Sequence, residues 1–224
     1  MKTKVVEVDG LLFSCRAGTS DEKAVNEVVG RKTYIKKNFT IEDGEHWMDF
    51  GGNIGAFTIL AISMGAKVDV FECDPMSCKI IEQNLKLNRM NANIHQKALA
   101  LKKGFADLSL SKTGQFWRNS VVKNWGGGFI RVETVDFRDF INPGVCVKMD
   151  IEGAEMDILE AWPGKTKKLV FEWSFDIDND IDRYRLAVGK MRSMYETVKA
   201  DSINEKYKVW QKSWFPACKN VWCY

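Results

Sequence analysis

The feature that most constrains the fold is an alternation of short apolar strands with helices, joined at one point by a run of glycines. From residue 46 the pattern reads as strand 46–50, helix 54–64, strand 67–72, helix 75–87 with proline in its first turn, and strand 93–98. Short strands with polar loops follow at 105–110 and 129–134. The alternation resumes with strand 145–150, helix 154–162 closed by Pro163-Gly164, strand 169–173 and helical periodicity over 181–194. β-type runs rich in Trp and Tyr end the chain. Such an order implies an α/β fold with a mostly parallel, doubly wound sheet, because parallel neighbours need helical crossovers. The tail predicts an antiparallel hairpin at one edge. At the start, residues 4–16 read as a hairpin turning at Asp9-Gly10, and 20–30 as a helix capped by Ser20 and ended by Gly30. Residues 1–45 are thus expected to extend a core of 46–224, all 224 residues forming one domain.

The glycines sit where the first core strand meets its helix, in Asp49-Phe50-Gly51-Gly52-Asn53-Ile54-Gly55. Glycine there permits a tight turn and close approach of a ligand to backbone. The spacing is not the dinucleotide G-x-G-x-x-G, and no Lys-Ser/Thr pair follows Gly55 to hold a phosphate. Asn53 occupies a position that tolerates left-handed backbone. Glu72, 21 residues beyond Gly51, ends the second strand, where a carboxylate reaches both hydroxyls of a ribose. A nucleoside without pyrophosphate fits this pair of signals, and S-adenosylmethionine meets the requirement. Asp49 is placed to balance its ammonium group.

Val145-Cys146-Val147-Lys148-Met149-Asp150 is apolar except for two charges, which period-two geometry puts on one face. Strand carboxyl ends line the ligand crevice of an open α/β sheet. Asp150 and Glu172 are therefore expected to face the same crevice as Asp49 and Glu72. The competing reading for Lys148 is a structural ion pair with one of these acids.

These blocks resemble the FkbM family of S-adenosylmethionine-dependent O-methyltransferases. The resemblance is carried by Trp47-Met-Asp-Phe-Gly-Gly-Asn-Ile-Gly-Ala-Phe-Thr58, Val70-Phe-Glu-Cys-Asp-Pro75, Val132-Glu-Thr-Val-Asp136, Val147-Lys-Met-Asp-Ile-Glu-Gly-Ala-Glu155 and Val170-Phe-Glu172. It implies a Rossmann-like class I methyltransferase fold that methylates hydroxyls of sugars, polyketides or other small molecules. It further implies that Asp49, Gly51, Gly52, Asn53 and Gly55 hold the methionine part of the cofactor, with Glu72 on the ribose. Asp74 and the backbone near Ala98 would border the adenine, and Asn119 and Ser120 would approach cofactor or acceptor.

Composition narrows the chemistry. His46 and His95 are the only histidines, which disfavours zinc hydrolases and Ser-His-Asp enzymes; both are expected to be structural. Proton removal from a hydroxyl is expected to fall to Asp150, Glu172, Glu152 or Lys148. In the alternative, Asp150 and Glu172 hold one Mg²⁺ or Mn²⁺, since oxygen ligands favour hard ions. Lysine could serve as base only with a strongly depressed pKa. A net charge of +3 points to a neutral acceptor such as a sugar or glycan, a deoxysugar such as rhamnose among them, and makes nucleic acid an unfavoured partner. Glycosyltransferases of the same pathway are the expected partners. RNA methylation, an NAD-dependent oxidoreductase and a non-catalytic nucleoside-binding module are the competing functions. Trp117 and Trp125 flank a polar loop that suits either a lid or a sugar platform. No run of apolar residues is long enough for a membrane span, and six cysteines without a CxxC pair imply a reducing, cytoplasmic setting.

Overall fold

A computed structural model describes residues 2–112, 115, 118–175, 177, 180–201 and 218–224. The chain begins with β1 (Thr3–Val8) and β2 (Leu11–Arg16), an antiparallel hairpin whose turn residues Asp9 and Gly10 both have positive φ. That is the two-residue turn whose twist matches the strands it joins. Helix α1 (Asp21–Val25) continues into a π-helical turn that closes at Gly30. Ser20 precedes α1 without a side-chain capping bond, contrary to the sequence expectation. The acceptor that matters locally is Asp21, which is buried against Arg16.

The core follows as β3 (His46–Phe50), α2 (Ala56–Ser63), β4 (Lys67–Phe71), α3 (Pro75–Leu87) and β5 (Asn93–His95). Then come β6 (Ala98–Ala100), β7 (Gly104–Ser111), β8 (Gly126–Asp136), β9 (Val145–Met149), α4 (Glu155–Glu160), β10 (Lys168–Ser174), α5 (Ile181–Met194), β11 (Val198–Ala200) and β12 (Cys218–Cys223). Seven strands form one sheet in the order β11-β12-β10-β9-β3-β4-β5. Strands β5, β4, β3, β9 and β10 are mutually parallel, and β12 runs antiparallel to both β10 and β11. The order reverses beside β3, so the carboxyl ends of β3 and β9 diverge from their crossovers and leave a crevice.

The predicted strand 93–98 is instead two strands in different sheets. Strand β5 closes the main sheet, while β6 joins β8 and β7 in a separate three-stranded sheet. Gln96 and Lys97 carry the chain from one to the other. The larger sheet is covered on both sides. One core packs α2, α3 and the N-terminal hairpin against Trp47, Val70 and Val170; the other packs α4 and α5 against Phe50, Met149 and Trp173. This explains why Phe13 and Cys15, near the start of the chain, are fully buried. Among the described residues no helix is long and apolar enough to cross a membrane, and Cys15, Cys73, Cys78, Cys146 and Cys223 are free thiols.

Candidate active site

The glycine loop turns out of β3 under steric pressure from both neighbouring strands. The amides of Gly51 and Gly52 both donate to the Phe71 carbonyl at the end of β4, at 2.9 and 3.0 Å. Gly51 has φ +85°, and a Cβ there would lie 1.7 Å from the Asp150 carbonyl oxygen. No side chain fits. A Cβ on Gly52 would lie 2.3 Å from Val70. Asn53 takes φ 49°, and Gly55, with φ 84°, sets the start of α2 against Ile81 of α3. The loop is thus fixed before any ligand arrives.

Glu72 leaves β4 beside this loop. Its Oε2 accepts the Asn53 amide at 2.7 Å and its Oε1 accepts the Asp74 amide at 2.8 Å. Each oxygen keeps a lone pair for a further donor. Burial pushes the carboxyl up to about 7, with the Asp74 charge adding to it and the two amides opposing it. Asp74 itself caps α3, accepting from the Met76 amide and the Ser77 hydroxyl.

At the centre of the sheet, Lys148 is 3% exposed. Its Nζ lies 3.1 Å from Asp49 Oδ1 and donates to the Gly51 carbonyl at 2.6 Å. Asp49, fully buried, also accepts the Thr58 hydroxyl at 2.6 Å. Burial works to lower the Lys148 pKa, but the charges of Asp49 and Asp150 outweigh it and the ammonium is held above its ordinary value. Lys148 is thus a charged strut under the glycine loop, the ion pair that the sequence left open as an alternative, and neither it nor Asp49 lines the crevice.

Asp150 follows β9, its amide donating to the Phe50 carbonyl. Its Oδ2 accepts the hydroxyl of Tyr34 at 2.8 Å, and among the described residues its buried Oδ1 has no hydrogen-bond partner. The next turn is held from inside. Glu155, fully buried at the start of α4, accepts the amides of Ile151 and Gly153 at 2.6 and 2.7 Å. Glu152 is forced to φ 55°, a left-handed conformation that costs about 1 kcal/mol for a residue with a Cβ. Its carbonyl accepts the Ser120 hydroxyl at 2.6 Å, which ties the smaller sheet to the turn. Lys148, Asp150, Gly153 and Glu155 thus each have a physical task in the Lys-x-Asp-x-Glu-Gly-Ala-Glu run.

A cavity open to solvent lies at these strand ends. Gly51, Asn53, Glu72, Ala98, Asp150 and Glu152 line it, with Asn119 and Val121 opposite. Asn119 accepts the Ser111 amide through Oδ1, which fixes its orientation and leaves the buried Nδ2 without a partner among the described residues. The wall carries three carboxylates, and its one lysine, Lys97, is ion-paired to Glu133. Gly52, Gly55, Asp49, Asp74, Lys148 and Glu172 are not on the wall. Glu172, half-buried in β10, acts through its charge on Tyr34 and Lys148. Asp150 lines the cavity and Glu172 does not, and among the described residues no three His, Cys, Asp or Glu side chains converge on one point. His46 and His95 share Asp69, at 2.6 and 2.8 Å, and neither lines the cavity. Trp125 is stacked by Arg118 and Lys123; Trp117 lies outside the described residues.

Residues 49–194 match the model of the methyltransferase FkbM domain, well over half of the chain. The chain belongs to the FkbM methyltransferase family. No curated protein matches it. Among solved structures it is similar to PH0793 of Pyrococcus horikoshii, with 14% identity and a TM-score of 0.50 over 99% of this chain and 70% of that one. It is also similar to the tRNA (uracil-54, C5)-methyltransferase of Pyrococcus abyssi, solved with S-adenosyl-L-homocysteine. That likeness has 11% identity and a TM-score of 0.51, over 99% of this chain and 43% of that one. At these identities the likeness is one of fold, the Rossmann-like class I methyltransferase fold. The family match begins at Asp49. Two buried residues ahead of it nevertheless reach the FkbM site. Arg16 pairs with Asp21 and donates to Ser77 and to Asn53 Oδ1, at 3.2 and 3.3 Å. Tyr34 holds Asp150. Sequence reasoning missed both, since neither lies in a motif; a lone arginine ending an apolar strand at Arg16 was the one available signal.

Proposed function

We propose that this methyltransferase uses S-adenosylmethionine to methylate a hydroxyl of a sugar or glycan, a deoxysugar among the candidates. The observation that carries the reading is Glu72, a carboxylate fixed by two backbone amides on the wall of the cavity beside the glycine loop. An acidic wall whose lysine is already paired suits an adenosine bearing a cationic sulfonium and disfavours the pyrophosphate of a dinucleotide. When bound, this cofactor supplies a methyl group activated by positive sulfur. Glu72 would accept the ribose hydroxyls, the loop from Gly51 to Asn53 would take the methionine end, and Asn119 would border the ligand. Asp74, in this reading, acts on the adenine side only by capping α3.

Asp150 is the group placed to take the acceptor's proton. It is on the cavity wall, one oxygen is engaged by Tyr34, and the other is buried without a hydrogen-bond partner among the described residues. Glu152 borders the same space, while Glu172 contributes charge. Glycosyltransferases that build the acceptor are the partners this reading implies.

The test is transfer of labelled methyl from S-adenosylmethionine to a panel of deoxysugar glycosides, with RNA and a chelator in parallel arms. Labelled glycoside at a rate the chelator leaves unchanged is expected. Label in RNA alone overturns the sugar reading, and full activity in Asp150→Asn overturns the base.

A further inference from the structure

Tyr34 lies outside the segment that matches the family, in a stretch that carries no motif. It is nonetheless among the most constrained residues of the chain. Its side chain is 4% exposed, its ring meets Phe57 of α2 edge-on at 5.9 Å, and its carbonyl accepts the Trp222 indole N–H at 3.0 Å. The backbone on either side is pinned as well. Thr33 donates through its hydroxyl to the Glu27 carbonyl, and Lys36 and Phe39 form a two-residue bridge. Helix α2 therefore packs on the ring and strand β12 holds the backbone, and its hydroxyl reaches one acceptor, Asp150 Oδ2 at 2.8 Å.

We propose that Tyr34 is a positioning residue that anchors Asp150 through Oδ2 and so fixes the orientation of its carboxylate at the cavity wall. The inference rests on the reading of Asp150 given above, but concerns only the geometry and charge of its carboxylate. A carboxylate with both oxygens free can rotate; one anchored through a rigid phenol is held in a single orientation. Burial and the neighbouring acids keep the phenol protonated, so it is a donor at every working pH. The charges facing Asp150 are those of Lys148 on its own strand, Asp49 on β3, Glu172 on β10 and Glu155 on α4. Among these the lysine is committed to Asp49 and the Gly51 carbonyl. Among the described residues Tyr34 is thus the side chain that donates to Asp150.

The test reads the carboxylate directly and needs no acceptor. The Asp150 carboxyl carbon is followed by NMR in ¹³C-aspartate-labelled full-length protein, assigned by its loss in Asp150→Asn. In Tyr34→Phe, which keeps the ring, its resonance is expected to move and to broaden, because a carboxylate without its donor averages over orientations. An unchanged resonance in the two proteins overturns the proposal. If Tyr34→Phe does not fold, Asp150→Asn with ¹³Cζ-tyrosine provides the reverse measurement. The Tyr34 hydroxyl should then titrate at a lower pH than in the parent, and an unchanged titration overturns the proposal. Methyl transfer that fails in the parent protein would count against the proposed function and leave these outcomes intact.

Discussion

Replacing Lys148 with methionine tests whether the glycine loop stands on a buried charge. The ammonium lies 3.1 Å from Asp49 Oδ1, with the two side chains 4% and 1% exposed. At an effective dielectric constant of about 20, Coulomb attraction at that distance is about 5 kcal/mol. Methionine keeps the apolar stem but leaves Asp49 with only the Thr58 hydroxyl, and frees the Gly51 carbonyl. Breaking a buried pair from one side costs about 3–5 kcal/mol, because the remaining charge has no compensation. Lys148→Met should therefore lower the unfolding free energy by about that amount in a urea titration, read from the midpoint at unchanged slope. Asp49→Asn added to it removes the stranded charge and should recover part of the loss, a coupling that distinguishes a pair from two independent residues. A single variant that loses less than about 1 kcal/mol, or a double variant whose losses simply add, would refute the strut.

Three further outcomes follow from the same geometry. Burial, reinforced by the Asp150 charge, raises the Glu155 carboxyl to about 7, from an ordinary 4.5. The folded protein then binds its proton more tightly than the unfolded chain, so stability declines as pH rises from about 4.5 to about 7, by up to about 3 kcal/mol. Glu155→Gln should reduce that slope in denaturation curves taken across the range, with Glu72, raised likewise, keeping its own share; an unchanged slope contradicts the assignment. Gly51→Ala must place a methyl against the Asp150 carbonyl in left-handed backbone, and should cost more than about 3 kcal/mol by urea denaturation; near-parent stability would show that the loop packs otherwise. Arg16→Met should weaken binding of S-adenosylhomocysteine by calorimetry, because Asn53 and Ser77 lose a common donor; unaltered affinity would confine Arg16 to the hairpin.

The parts of the site legible in the sequence were those encoded locally. Glycines at a strand–helix junction, an acid ending β4 and charges inside an apolar strand each have a short-range physical cause, and the residues concerned lie where the spacing puts them. The bland reading of Lys148, an ion pair, was on the page but could not be separated from a chemical one, since the choice depends on Asp49 facing it across two strands. Tyr34 and Arg16 were invisible for a related reason. Their partners lie 116 and 37 residues away, at Asp150 and Asn53, and no periodicity records such contacts. The smaller sheet was misread at its first strand because Asn93 to Ala100 is continuous in pattern, and only pairing shows that β5 and β6 part at Gln96 and Lys97. Ser20 had the composition of a cap, yet the buried Arg16–Asp21 pair decided the local geometry.

The most direct test of the account is calorimetric titration of S-adenosylhomocysteine into the parent protein and Glu72→Ala, with NAD as a control ligand. The parent should bind S-adenosylhomocysteine and not NAD, and Glu72→Ala should bind it at least about tenfold more weakly, since a charge-assisted hydrogen bond to a ribose hydroxyl is worth about 1.5 kcal/mol or more. Equal affinity in the two proteins, or preference for NAD, would contradict the placement of a nucleoside on Glu72.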